Sequence, residues 1–396
     1  MPALDGITVI ALEHAIAAPF CTRQLADLGA RVIKIERPEV GDFARQYDER
    51  VHGISSHFVW TNRSKESLTL DLKQQEAKEV LHKLIAKADV LIQNLAPGAA
   101  ARLGYAYEEL AQINPKIIVC DISGYGDDLE QPGPYRDKKA YDLLIQSESG
   151  FLSITGTDEQ AAKAGCSIAD ISAGMYAYSN ILAALIERGK TGIGKRIDVS
   201  MFESMTEWMG YPLYYTLNGE SAPPRTGSAH ATIFPYGPFP TGDHKQVMLG
   251  IQNDREWRAF CDIVLESPHL ADDSLFKTNS LRSKNRDVLR ALIEKKFQNF
   301  TQLEILEHLE QAKIANARVN DVQDLWEHPQ LKARKRWVDV ESPVGVIPTL
   351  KPVGLKNDND FVMNAIPKLG QHSHSILIEL GYHPAQIERF AEQGII

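Results

Sequence analysis

The sequence predicts an α/β fold, an open parallel sheet flanked by helices, followed by a second and smaller domain. Three observations carry this. "GITVIAL" (6–12), "APFCTRQLADLGA" (18–30) and "RVIKIE" (31–36) read as strand, helix and strand, and a crossover helix between two strands makes them parallel. The same alternation runs on to residue 126. From residue 221 the chain turns rich in Pro and Gly before becoming strand-like again, which reads as the entry to a different body.

Taken in order, the first strand is a continuous apolar run, as expected of a strand buried on both faces. The helix over 18–30 ends at Gly29. "SLTLDL" (67–72) is a strand, "QQEAKEVLHKLIAKA" (74–88) a helix, "DVLIQN" (89–94) a strand and "KIIVCDISGYG" (116–126) another. A long helix is predicted over 171–188, because Ile171, Met175, Tyr178, Leu182 and Leu185 recur at steps of four and three. "GKRIDVSMFESMTEWMGYPLYYTLNG" (194–219) reads as a short strand and a helix. The resulting layout places the large domain at 1–205, completed by 345–396, the small domain at 225–325, and linkers at 206–224 and 326–344.

The bulk properties exclude several functions. Lys and Arg number 43 against 52 Asp and Glu, a net charge of −9, which is a poor match to nucleic acid or an anionic membrane surface. Cys21, Cys120, Cys166 and Cys261 are widely spaced and form no CxxC, so neither a zinc site nor a disulfide framework is expected, and no metal is. The N-terminal stretch lacks the basic start of a signal peptide and no apolar run has the length of a membrane span. A cytoplasmic location follows as the expectation.

Asp170 is the residue that raises a chemical question. It stands at the mouth of the long helix among Ser, Ala and Gly. Asp is a preferred N-cap, which accounts for it without chemistry. Alternatively it is a nucleophile: a carboxylate is already ionised at neutral pH, and small neighbours admit a substrate carbonyl. A nicotinamide site is disfavoured, because the first strand is followed by "EHAIAAPF" and no GxGxxG, and no GxxxxGK[ST] occurs. Positive charge is instead scattered near predicted strand ends, at Lys34, Arg37, Arg45, Arg63, Lys65, Lys73, Arg102, Arg136, Lys138 and Lys139. Brought to one rim, such residues suit a ligand carrying phosphates.

An ordered set of motifs from about residue 3 to the C-terminal region resembles the class III CoA-transferases: "APFCTRQLADLGARVIKIERPEVGDFAR", "QNLAPGAAARLGY", "ISGYG", "KKAYDLLIQSESGFLSITG", "SIADISAGMYA", "GKRIDVSMFES" and "PKLGQHSHSILIELGY". That family comprises formyl-CoA, carnitine and succinyl-CoA transferases, with α-methylacyl-CoA racemases as relatives. The resemblance implies a Rossmann-like large domain, a smaller α+β domain and an interlocked homodimer. It implies coenzyme A as co-substrate, carried as acyl-CoA, and a small carboxylic acid as the other partner. It assigns the nucleophile to Asp170. It places CoA contacts at Arg37, Lys73, Asn94, Arg102, Lys139 and Tyr141, and the loop beneath the thioester at His14–Ala18.

Local residues discriminate between the chemistries the resemblance spans. Racemases of this kind place a His in the segment matching "KKAYD"; here Tyr141 stands there, a poor proton acceptor at pH 7. Asp142 beside it reads as a hydrogen-bonding partner, and a lone His14 is ordinarily structural. Ile16 replaces the Gln of the formyl branch, which disfavours formate and oxalate. The segment matching that branch's Gly-rich lid is "VMLGIQNDREW" (247–257), with one glycine, Gly250; Gln252 and Asn253 donate hydrogen bonds from it or make a turn. C4–C5 dicarboxylates such as succinate, mesaconate, citramalate and itaconate fit best. Their second carboxylate needs a cation, for which Arg45, Arg225 and His230 are the candidates. An α-methylacyl-CoA racemase is the alternative, and an acyl-CoA-binding protein without catalysis is a third.

Overall fold

The computed structural model describes residues 1–396 and divides into two compact units. The first comprises Met1–Phe151, Ala164–Gly210 and Leu331–Ile396; the second comprises Leu152–Lys163 and Tyr211–Gln330.

The first unit is built on six strands: β1 (Thr8–Leu12), β2 (Arg31–Glu36), β3 (Lys65–Thr69), β4 (Val90–Gln93), β5 (Ile118–Ser123) and β6 (Arg196–Ser200). They pair in the order β3-β2-β1-β4-β5-β6, and every pairing is parallel. Successive side chains of a strand point to opposite faces, and the two cores follow that period. Val9, Val32, Val90, Ile92, Ile118 and Cys120 enter the core on one face. Ile10, Leu12, Ile33, Ile35, Leu91 and Val119 enter the core on the other.

Helix α1 (Ala17–Asp27) follows β1, and α2 (Gln75–Ile85) follows β3. Helices α3 (Asp142–Glu148) and α4 (Ile168–Thr191) precede β6, and α5 (Met201–Trp208) follows it. Helix α4 extends three residues beyond the predicted span at each end, so Asp170 falls inside its first turn. It ends where Gly192 adopts φ +74°, a conformation glycine reaches without a Cβ penalty.

Strand β3 begins two residues earlier than expected, at Lys65. A lysine ordinarily argues against a buried strand position, but the Lys65 ammonium donates to Glu13 Oε1 at 2.7 Å and to the carbonyl of Pro19 at 3.1 Å. Residues 337–342, read from the sequence as linker, form one strand of an antiparallel hairpin with Gly345–Leu350. Beyond it the chain closes over β3. The Thr69 N–H donates to Ser373 Oγ and the Asp71 N–H to the Ile395 carbonyl, while Ile376, Leu377, Ile387 and Phe390 join the second core.

The second unit has a three-stranded antiparallel sheet in the order β7 (Tyr236–Pro240), β8 (Gln246–Gly250), β9 (Ala315–Arg318). Its core gathers Phe234, Phe239, Trp257, Phe260 and Phe297 with aliphatic residues from flanking helices. No helix of the chain is long and apolar enough to cross a membrane.

Candidate active site

The strand order reverses between β1 and β4, and open α/β sheets form their ligand crevice at that switch point, beyond the strands' carboxyl ends. The loops leaving β1 and β4 meet there. The His14 N–H donates to Asn94 Oδ1 and Asn94 Nδ2 donates to the His14 carbonyl, both at 2.9 Å. Asn94, expected on CoA, therefore commits both ends of its amide to the main chain of His14.

Ala15 adopts φ +60°, strained for a residue with a Cβ, and its N–H donates to Asp42 Oδ1 at 2.9 Å. Asp42 is buried and also accepts the Ala44 N–H and, at 2.7 Å, Lys34 Nζ. Lys34 and Lys65 share Glu13 Oε1, and Thr22 donates to Glu13 Oε2, so the charge under the loop is compensated within the core. Burial lowers the Lys65 ammonium to about 8, against the pull of Glu13. The His14 ring stacks on Phe43 at 4.6 Å, and burial lowers its pKa despite Asp42, whose oxygen lies 3.9 Å from Nδ1.

Helix α1 starts immediately after this loop. Ile16, at the cap position, provides no side-chain bond, and Pro19 has no N–H. The N–H groups of Ile16, Ala17 and Ala18 consequently make no hydrogen bond, although all three residues are buried. Buried main-chain donors are normally paired, so these three N–H groups are directed to an acceptor that the protein itself does not supply.

Asp170 is half-buried in the first turn of α4, and its carboxyl accepts no hydrogen bond. The cap comes from elsewhere: Asp142 Oδ1 accepts the N–H of Ala169 at 2.8 Å and that of Asp170 at 3.4 Å. The cap reading of Asp170 is thus corrected, because the orphan donors of the helix already have their acceptor. Burial and then the neighbouring charge of Asp142 push the Asp170 carboxyl up to about 7. Tyr47, which the sequence did not single out, responds to the same site. Its hydroxyl is held above its ordinary range by burial, Asp42 and Asp170. The small residues around Asp170 also find their reason: Ala173, Gly174 and Ala177 bury the face of α4 that meets α1.

Around the crevice, Arg37 follows β2 and is exposed, its guanidinium 5.9 Å from the Phe43 ring. Lys73, Arg102, Lys139 and Tyr141 are also exposed, and the Arg102 guanidinium makes no hydrogen bond. Arg102 and Arg136 flank Gly98, the latter paired with Asp127. Arg45 does not serve as a free cation. Its Nε and terminal nitrogen fork onto Glu36, both at 2.8 Å, and its guanidinium lies 3.8 Å from the Phe58 ring.

Within the second unit, Arg225 donates Nε and one terminal nitrogen to the carbonyls of Thr157 and Asp158. His230 Nδ1 accepts the N–H groups of Thr232 and Ile233, and its ring stacks on Tyr236. Gly250 ends β8 against the same Tyr236 ring. Gln252 is exposed, and Asn253 makes a turn, capping the helix Asp254–Ala259 through Glu256.

Comparison with known proteins gives one family. The model of CoA-transferase family III matches residues 4–373. The chain is 36% identical over 390 residues to a succinate–glutarate CoA-transferase of Agrobacterium fabrum, covering 96% of each. It is 35% identical to an acetyl-CoA:oxalate CoA-transferase of Acetobacter aceti, covering 94% of each. A crystal structure of a CAIB/BAIF family protein from Brucella suis superposes with a TM-score of 0.84 at 34% identity, covering 96% of this chain and 99% of that one.

Proposed function

The chain belongs to CoA-transferase family III and is a CoA-transferase using acyl-CoA as co-substrate, and we propose that it moves CoA between C4–C5 dicarboxylic acids with Asp170 as nucleophile. One observation carries the assignment: Asp170 keeps an unspent carboxyl at the start of a helix that another residue caps. An ionised Asp170 oxygen attacks the thioester carbonyl carbon, the C–S bond breaks, and CoA leaves as thiolate with a mixed anhydride behind it. The thiolate then attacks the Asp170 carbonyl carbon, releasing the first acid and leaving an aspartyl-CoA thioester. The acceptor carboxylate runs the same two steps in reverse. Each nucleophile is an anion, so no proton transfer is required.

The free N–H groups of Ile16, Ala17 and Ala18 are suited to the developing oxyanions, at about 3 kcal/mol for a well-aimed donor. Arg37, Arg102, Lys73 and Lys139, all exposed around the crevice, are the groups for CoA phosphates. The dicarboxylate reading draws on the glutarate-using relative and on Ile16, which offers oxalate no polar contact. Arg45 is committed to Glu36 and is therefore not the cation for a second carboxylate. An interlocked homodimer belongs to the same proposal.

Succinyl-CoA incubated with hydroxylamine labels Asp170 as a hydroxamate, and Asp170→Ala abolishes transfer while acyl-CoA still binds. Substantial turnover by that variant rejects the nucleophile. A panel of glutarate, mesaconate, itaconate and oxalate as acceptors tests the substrate class; a preference for oxalate overturns it. Deuterium uptake at the α-carbon of a branched acyl-CoA in heavy water, without transfer, identifies the racemase alternative.

A further inference from the structure

Helices usually carry their own N-cap, yet the cap position of α4, Ser167, makes no side-chain bond. Asp142 supplies the cap from 27 residues earlier, at the start of α3. Its carboxylate is itself fixed. Oδ2 accepts Gln146 Nε2 at 2.7 Å, and Gln146, fully buried, accepts the Ala164 N–H at 2.9 Å through Oε1. Three points of attachment therefore hold one carboxylate against the main-chain N–H of the nucleophile.

Asp142 leaves Asp170 with no helical donor to satisfy, and it sets a second anion beside it. Other charges near α4 are spent: Arg23 pairs with Asp27 on α1, and Arg196 of β6 with Asp121 of β5. Helix α5 adds only Glu203 and Glu207, and the Tyr47 hydroxyl, held above its ordinary range by burial and by Asp42 and Asp170, brings no charge at pH 7. Lys138 pairs with Glu148 and Lys139 is exposed, so the charge that bears on Asp170 is that of Asp142.

We propose that Asp142 is a positioning residue of the transfer reaction: it caps the nucleophile's helix from outside, so that the Asp170 carboxylate stays free for the thioester and acts beside a fixed negative charge. The proposal rests on Asp170 being the nucleophile. The neighbouring anion makes the carboxylate more basic, which strengthens it as a nucleophile; the raised Asp170 pKa agrees with this.

Two variants separate the components. Asp142→Asn keeps an oxygen to accept the Ala169 and Asp170 N–H groups but removes the charge. Its KM for acyl-CoA stays within about twofold of wild type, and the acidic limb of its kcat–pH profile moves down by about one unit. Asp142→Ala loses the cap as well, and its kcat falls by about a further tenfold at unchanged KM. If both variants keep the wild-type kcat and pH limb, the proposal is overturned while the nucleophile assignment stands. If Asp170→Ala is active, the nucleophile assignment fails first. Should Asp142→Ala fail to fold, the limb of Asp142→Asn decides alone, and an unmoved limb overturns the proposal.

Discussion

Gly174 lies directly against Ala17: a Cβ built on the glycine stands 2.7 Å from the Ala17 carbonyl oxygen and 3.2 Å from the Phe20 ring. Gly174 is four residues past Asp170 and shares its helix face. The contact therefore sets the spacing between Asp170, the proposed nucleophile, and the free N–H groups opening α1. Gly174→Ala is expected to destabilise the protein by about 1–3 kcal/mol and to lower kcat by about tenfold. Gly189 is the control, since nothing lies within 4 Å of its Cβ position in the same helix. Gly189→Ala is expected to leave activity unchanged and to raise Tm slightly. Thermal melts and steady-state kinetics on both variants check this.

With Asp170 as the proposed nucleophile, its carboxyl, pushed up to about 7, is expected to make activity and stability run in opposite directions with pH. Attack requires the ionised form, so kcat/KM climbs with pH and levels off above about 7. Stability has the other sign. The folded state holds this proton more tightly than the unfolded chain does. The contribution is therefore full below the ordinary value of 3.8 and is lost as pH rises through about 7. Asp170→Asn, which cannot ionise, is expected to melt higher than wild type at pH 8, by on the order of 2 kcal/mol after allowance for solvent screening. The gap closes toward pH 4. Melting curves of the two proteins across that range provide the measurement.

Arg45 separates a structural cation from a binding one. Its removal leaves Glu36 fully buried with its main partner gone. Burial opposes the Glu36 charge, but the Arg45 hydrogen bonds and Lys34 hold its pKa down to about 2. Arg45→Met is expected to cost about 3–5 kcal/mol of stability with KM for the acceptor acid unchanged. In the wild type this contribution is present above the ordinary value of 4.5 and is lost as pH falls toward about 2. A large rise in KM without a fall in Tm contradicts the assignment.

Arg102 and Arg136 should part company in the same way. The Arg102 guanidinium has no ion-pair partner, whereas that of Arg136 is tied to Asp127, whose other oxygen accepts the Gly98 N–H. Arg102→Ala is expected to raise KM for acyl-CoA about tenfold with little change in kcat, and to flatten the salt dependence of KM. Arg136→Ala is expected to lower Tm. Kinetics at two ionic strengths, with melts of both variants, distinguish the roles.

The sheet was largely legible because β1, β2, β4 and β5 are covered on both faces and are dominated by apolar residues, interrupted only by Lys34 in β2 and Asp121 in β5. The displaced start of β3 shows the limit. Lys65 looks like a surface residue until Glu13, 52 positions away, is folded against it. Asp170 stood out because an acid among small residues is locally unusual. What could not be read was the origin of the cap, because Asp142 reaches Ala169 through tertiary packing. Arg45 was misread for the same reason: a single cation does not reveal whether its anion is a protein carboxylate or a substrate. Tyr47 carried no local signal at all, and only the fold brings the charge of Asp170 to bear on its hydroxyl.

The closure of β3 by residues 304 positions later carries a cost during synthesis. Strand β3 is an outer edge of the sheet, and it leaves the ribosome while Ser373 and Ile395 are still untranslated. At roughly 5–20 residues per second that interval lasts about 15–60 s. Throughout it, an unpaired strand border and an uncovered apolar face are available to other nascent chains. Blocking the returning segment should therefore reduce the yield of soluble protein well before it alters the chemistry of the finished enzyme.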